Sequence, residues 1–356
     1  MKKAYLVLSN GAVFEGKRIG AENNSIGELV FTTGMVGYLE TLTDSSYAGQ
    51  IIVQTFPLIG NYGVIPADFE GAPVAKGYVV RELCEEPSNF RSEGDLNSFL
   101  AENGICGICG VDTRAITRII RSEGVMNAMI CDEVPADLSE IKDYAVVNVV
   151  PEVTHSEPEV FACKGEKKYS VALIDYGAKM NIIRSLNERG CEVTVVPASA
   201  SAEEILAMKP DGIMLSNGPG DPAENIFCIE QIKKLVGKKP IFGICLGHQL
   251  TALAMGGQTV KLKYGHRGGN QPVREVSTGR TYITSQNHGY AVVAESIADC
   301  GVQTFVNAND GSCEGVEYPG LNCFTVQFHP EACSGPKDTS FLFDRFIAIM
   351  GEMKNA

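Results

Sequence analysis

Apolar and polar positions along the chain fall into two regimes. From the start to about residue 150, short apolar segments predict strands at Tyr5–Leu8, Val13–Glu15, Leu29–Thr33, Ile51–Thr55, Gly77–Arg81 and Val125–Cys131. Gly, Asp, Ser and Pro separate them, and Asn10-Gly11 is a strong signal for a tight turn between the first two. Two helices are expected: one over Asp95–Asn103, the other with Asp112 as N-cap and Ile116, Ile119 and Ile120 at helical spacing up to Gly124. The stretch Pro151–Lys168 turns to Pro, Glu, Lys and Gly without periodicity and reads as a linker, in which His155 is expected to be solvated.

From Tyr169 the pattern alternates. Strands are expected at Ser170–Ile174, Glu192–Val196, Gly212–Leu215 and Pro240–Gly243, and helices at Ala178–Arg189, Ala202–Met208, Ala223–Val236 and Gly247–Met255. Strand–helix alternation of this kind predicts an α/β domain with an open, mostly parallel sheet covered by helices on both faces. The expected organisation is a strand-rich α+β domain over 1–165 and the α/β domain over 169–356. Ligand sites of such sheets lie outside the carboxyl ends of the strands, where the loops Ser216–Asp221 and Ile244–Gly247 stand.

The 356 residues carry a formal charge of −13, of which −11 falls within residues 1–165 (12 basic, 23 acidic). No basic stripe is present, which argues against nucleic acid as a partner; the acidic half is either a docking surface for a basic patch or a solvated face. No apolar run approaches the roughly 18 residues of a membrane helix, and the apolar stretch Ala4–Leu8 is too short for a signal sequence. The expectation is a soluble, cytoplasmic protein. Twelve cysteines are spread over the chain, and one Cys-x-x-Cys occurs, Cys106 to Cys109, without a second pair or a nearby His. These read as buried packing thiols rather than a zinc or redox site.

Gly243-Ile244-Cys245-Leu246-Gly247 follows a predicted strand and opens a predicted helix. That is the layout of a nucleophile elbow with Cys in place of Ser. A thiol there sits at a helix N-terminus, which favours thiolate, and the Leu246 N–H faces the place where an oxyanion would form. The alternative is a buried packing thiol. A second Gly-x-Cys-x-Gly, Gly311 to Gly315 around Cys313, lies in an expected loop (Asn307–Gly320) with no helix behind it. Among the five histidines, His248 lies inside the elbow helix, and His266 and His288 sit in Gly-rich and Asn-Gly segments read as loops. His329 follows the strand-like Cys323–Phe328 and precedes Glu331; on extended backbone the two face the same side, so the carboxylate can orient the imidazole. A structural His–Glu pair is the competing reading. The loop Ser216-Asn217-Gly218-Pro219-Gly220-Asp221 either presents backbone N–H groups to a developing negative charge or is a tight turn capped by Asp221.

Gly-Ile-Cys-Leu-Gly-His-Gln, Ser-Asn-Gly-Pro-Gly-Asp-Pro and Gln-Phe-His-Pro-Glu-Ala, in this order, resemble a class I (triad) glutamine amidotransferase domain. Tyr264–Val273, Ser285–Tyr290 and several first-half motifs (Phe31–Gly34, Gly37-Tyr38, Leu42–Ser46, Gly60–Gly63, Gly110–Arg114) are similar to the small, glutamine-hydrolysing chain of carbamoyl-phosphate synthase. The resemblance implies a Cys–His–Glu triad of Cys245 (nucleophile), His329 (base and acid) and Glu331 (orienting carboxylate), with backbone groups of Gly218 and Leu246 holding the oxyanion. It implies that Ser46, Gly220, Gln249, Asn287, Gly289 and Tyr290 bind L-glutamine; Tyr290 stands where Phe is common. It also implies that the first domain docks on a large subunit, which receives ammonia through a tunnel and binds ATP, Mg and bicarbonate. No cofactor is then expected in this chain, and the product would serve arginine or pyrimidine synthesis. Alternatives are the glutaminase component of anthranilate synthase, which would lack the first domain, a Cys peptidase or γ-glutamyl hydrolase, and a binding module with an inactive site.

Overall fold

The computed structural model describes residues 2–355, which fall into two compact units divided between Val147 and Asn148. In the first unit seven strands close into a barrel. Around the ring they run Lys3–Leu8, Val13–Gly20, Cys106–Cys109, Gly77–Val79, Gln50–Gln54, Ser25–Thr32 and Met126–Cys131, which pairs back onto Lys3–Leu8. The Asn-Gly turn forms where expected, with Gly11 at φ +91° and Asn10 Oδ1 accepting from the Ala12 N–H at 3.0 Å. Closure is not legible in the sequence, because the ring needs Cys106–Cys109, a strand only four residues long. Its cysteines are free and buried; three apart on an extended strand, they point to opposite sides and cannot share an ion or a bond. Burial pushes the Cys106 thiol up to about 11, as expected of a packing thiol. Helix Thr113–Glu123 starts at Asp112, whose Oδ1 accepts from the Ala115 N–H at 3.0 Å.

The barrel strands Ser25–Thr32 and Gln50–Gln54 are parallel, so the chain between them must cross over. That crossover holds helix Tyr38–Leu42 and the 3-10 turn Ser45–Tyr47, where Asp44 Oδ1 accepts from the Ser46 N–H at 2.9 Å.

The second unit is built on a ten-stranded sheet. Its centre is parallel, in the order Cys191–Pro197, Tyr169–Asp175, Gly212–Leu215, Ile241–Ile244, Cys323–Val326. Alternation along these strands feeds two cores. Ala172, Ile174, Ile213 and Leu215 pack under helices Ala202–Ala207, Ile226–Leu235 and Leu246–Ala254. Val171, Leu173, Met214 and Phe242 pack under helices Met180–Asn187 and Phe341–Asn355. Helices therefore cover both faces, as the pattern implied.

The parallel centre is as expected, and beyond Cys323–Val326 the sheet continues antiparallel through Cys313–Tyr318, Thr281–Val292, Thr259–Glu275 and Val302–Asn307. Register shifts between Lys261 and His266 and between Gly268 and Gln271 break the alternation of that hairpin, so His266 and His288 lie on strands rather than in the loops their Gly-rich and Asn-Gly surroundings suggest. Cys313 likewise begins a strand instead of lying in a loop. Finally, Pro151–Lys168 is not a free linker. Helix Val150–Val153 leads into Glu159–Phe161, which adds antiparallel to Cys191–Pro197, and the division between units falls at Val147/Asn148. His155 is held rather than solvated: its N–H and its Nδ1 both meet Asp175 Oδ2, at 2.7 and 2.6 Å. Among the described residues no helix is long and apolar enough to cross a membrane.

Candidate active site

Strand Ile241–Ile244 ends at Cys245, which adopts φ 52°, ψ −102° and caps helix Leu246–Ala254. A positive φ at a non-glycine residue is strained, and here the surroundings enforce it. The Cys245 N–H donates to Val326 O at 2.9 Å and the Gly247 N–H to Ser216 O at 3.0 Å, pinning both ends of the turn to neighbouring strands. The flanking glycines are steric requirements. A Cβ on Gly247 would stand 2.5 Å from Leu215 O, and one on Gly243 would stand 2.9 Å from Thr325 Cγ2. The elbow read from sequence therefore exists, and its thiol donates to Asn287 O at 3.7 Å.

His329 enters from the end of the neighbouring strand Cys323–Val326, with its N–H donating to Ser285 O at 2.9 Å. Its ring and the Glu331 carboxylate lie on one side, Nδ1 to Oε1 2.6 Å, both buried. With Nδ1–H donating to the carboxylate, the buried Nε2 is left for chemistry. Burial and the Lys179 ammonium both press the imidazolium to give up its proton. The Glu331 charge and the hydrogen bonding of the ring with Cys245 and Glu331 outweigh them, raising His329 from 6.5 to about 9. Against the cost of burial, the imidazolium and Lys179 hold Glu331 below the usual carboxylate range.

Lys179 was missed from sequence. Its Nζ lies 3.4 Å from His329 Nδ1 and 3.9 Å from Glu331 Oε1, and Asn217 Oδ1 accepts its backbone N–H at 3.0 Å. The signal available was position alone, a lysine just beyond the carboxyl end of the central strand Tyr169–Asp175.

Of the two readings left open for the glycine loop, the capped turn is seen directly. Asp221 Oδ1 caps the 3-10 turn Pro222–Glu224 through the Ala223 N–H at 2.9 Å. Gly218 is pressed against the elbow: a Cβ there would drive into Tyr176 O and stand 2.8 Å from Leu246 Cδ2. Gly220 has φ +86°. Gly218 and Leu246, the expected oxyanion donors, are thus neighbours. Asn287, Gly289 and Tyr290 lie on strand Thr281–Val292, and the Gln249 amide ties the helix to that strand by donating to Tyr290 O at 2.8 Å and to Gln327 Oε1 at 2.9 Å. Ser46 belongs to the first unit, on the turn described above. Cys313 has no such setting; burial drives its thiol up to about 12.

Residues 172–349 match the family model of class I glutamine amidotransferases, and residues 6–130 match that of the carbamoyl-phosphate synthase small chain, CPSase domain. A carbamoyl phosphate synthase small chain of Listeria innocua is 51% identical over 98% of this chain and 97% of its own length. That of Clostridium perfringens is 49% identical over 97% and 99%, and that of Fusobacterium nucleatum 50% over 98% of each. With a thiol elbow, an oriented imidazole and both family models on one chain, it belongs to the carbamoyl-phosphate synthase small chain family and carries a class I glutamine amidotransferase domain.

Proposed function

We propose that this chain is the subunit that hydrolyses L-glutamine and supplies ammonia to a carbamoyl-phosphate synthase large subunit. The observation that carries the reading is the buried His329–Glu331 pair beside an elbow thiol held at positive φ. The Cys245 thiolate attacks the side-chain carboxamide carbon of glutamine, and the negative charge moves to its oxygen, held by backbone N–H groups of Gly218 and Leu246. One such donor is typically worth about 2.7–4 kcal/mol of barrier. Imidazolium His329 delivers its proton to the departing nitrogen as the C–N bond breaks, leaving a γ-glutamyl thioester and ammonia. Neutral His329 then takes a proton from water, which adds to the thioester and releases glutamate and the thiol. Glu331 holds the ring in one tautomer throughout.

Glutamine would be bound by Ser46, Gly220, Gln249, Asn287, Gly289 and Tyr290. Gln249 already spends its N–H groups on Tyr290 O and Gln327, so its carbonyl oxygen is the atom it offers a ligand. This chain needs no cofactor for these steps; ATP, Mg and bicarbonate belong on the large subunit, to which the first domain would dock in a cytoplasmic heterodimer. The product would feed arginine or pyrimidine synthesis. The test is rescue. A complex carrying Cys245→Ala should make no carbamoyl phosphate from glutamine yet make it from added ammonium, ATP and bicarbonate. Persistent glutamine-dependent synthesis, or failure of ammonium to rescue an assembled complex, would overturn the reading.

A further inference from the structure

Away from the triad, the second unit buries a cluster of His266, His288 and Glu314. One donor atom from each lies within 4.8 Å of the others, and the two rings meet edge to face with centroids 5.0 Å apart. Outward-facing atoms of the cluster are well satisfied. His288 Nδ1 is 2.7 Å from Tyr290 O and His266 Nε2 is 2.9 Å from Asp310 Oδ2, both of which can only accept. His288 therefore carries its N–H on the outside and aims a lone pair inward, while His266 turns Nδ1 inward, 3.4 Å from Asn307 Nδ2.

The inward contacts conflict. His288 Nε2 faces Gln286 Oε1 at 3.1 Å, an acceptor against an acceptor, while the Gln286 Nε2 donates to Glu314 Oε2 at 3.0 Å. Turning that amide round only moves the conflict onto the carboxylate. His266 Nδ1 faces Glu314 Oε1 at 3.5 Å, longer than the 2.7–2.9 Å or so of a charge-assisted hydrogen bond. The Glu314 carboxylate also accepts from Asn307 Nδ2 at 2.9 Å, yet the His288 lone pair facing Gln286 Oε1 stays unanswered, and a cation at this buried point would answer it. In a tetrahedral Zn²⁺ site with bonds of about 2.0–2.1 Å, neighbouring ligand atoms sit roughly 3.3 Å apart, close to the His266–Glu314 spacing.

We propose that His266 Nδ1, His288 Nε2 and Glu314 bind one first-row divalent cation such as Zn²⁺, with Gln286 Oε1 placed as a fourth oxygen. The outer partners match what metal-bound imidazoles require: a backbone carbonyl for one ring, and for the other a carboxylate, Asp310, which Ser312 holds in turn at 2.8 Å. The Asp310 side chain is 46% exposed and gives the ion a way in. Such an ion would tie strand Cys313–Tyr318 to the strand segment carrying Asn287 and Tyr290, so its role is to fix the wall of the thiol site rather than to act in the reaction.

The test uses the full chain with Zn²⁺ and Co²⁺ as probes. Cys245→Ala serves as the parent, so that the reactive thiol does not compete. After identical dialysis the parent should hold one zinc per chain more than its Glu314→Gln derivative. Its Co²⁺ form should show d–d bands that Glu314→Gln lacks, without a thiolate charge-transfer band. Asp310→Asn, at a half-exposed site, keeps the fold testable and should weaken zinc binding about 10–100-fold. Zinc should also move the imidazole ¹⁵N resonances of His266 and His288 in the parent. Equal zinc content and affinity in all three proteins, with unmoved resonances, would show that the cluster holds only protons and overturn the proposal.

Discussion

Replacing Glu331 with glutamine keeps the side chain's shape and removes the charge that opposes burial of the His329 imidazolium. The carboxylate stands 2.6 Å from Nδ1, and His329 is raised from 6.5 to about 9 although burial and Lys179 push the other way. At about 1.4 kcal/mol per pH unit, that rise corresponds to about 3 kcal/mol of interaction, counted once for the pair. The folded protein keeps a proton on His329 that the unfolded chain releases between pH 6.5 and about 9, so this stabilisation is complete below 6.5 and lost as pH rises through 9. Glu331, held below 4.5, adds a second limit: the same stabilisation is lost as pH falls through that lowered value. Urea unfolding of wild type and Glu331→Gln from pH 5 to pH 10 should therefore show a gap that is widest near pH 5–6 and narrows by at least about 3 kcal/mol toward pH 10. In the variant the opposing forces act unchecked, His329 is neutral at pH 7, and glutamine hydrolysis should fall by up to about 10⁴-fold, the scale for an orienting triad carboxylate turned into an amide. A gap that stays constant across this range, or hydrolysis unchanged at neutral pH, would refute the electrostatic account.

Gly218→Ala should destabilise the protein by about 1–3 kcal/mol in urea unfolding and depress kcat more than KM, because the new methyl drives the loop away from Tyr176 O and Leu246. An unaffected kcat would remove this loop from the reaction. Ser46→Ala should raise the KM for glutamine more than it lowers kcat; an unchanged KM would leave Ser46 a role only in its own turn. Cys313→Ala should keep wild-type turnover in the same assay that shows Cys245→Ala inactive, since its thiol is pushed up to about 12 inside a strand with no imidazole placed beside it.

The triad was readable because local rules suffice for it. The elbow needs two small residues around a thiol, and His329 and Glu331 need only an extended backbone to share a side. Lys179 was invisible because its place beside His329 depends on Asn217, 38 positions away, fixing its backbone. The hairpin of Thr259–Glu275 and Thr281–Val292 was lost because register shifts destroy the period on which strand reading depends. With it went the true setting of His266 and His288, and hence their cluster with Glu314. Barrel closure escaped for a related reason: it rests on a four-residue strand whose pairing partners lie far away in sequence. Pro151–Lys168 reads as a linker because its attachments, a three-residue strand Glu159–Phe161 and side-chain hydrogen bonds such as Thr154 Oγ1 to Asp175 O at 2.6 Å, leave no apolar period.

The central claim is that Cys245 forms a covalent γ-glutamyl thioester. Acid-quenching the protein during turnover of ¹³C-labelled glutamine, followed by peptide mass spectrometry, tests it directly. The account predicts labelled glutamyl on the peptide that contains Cys245, and none in Cys245→Ala. Label on a different residue, or steady glutamine turnover with no acylated peptide under conditions that preserve thioesters, would contradict it.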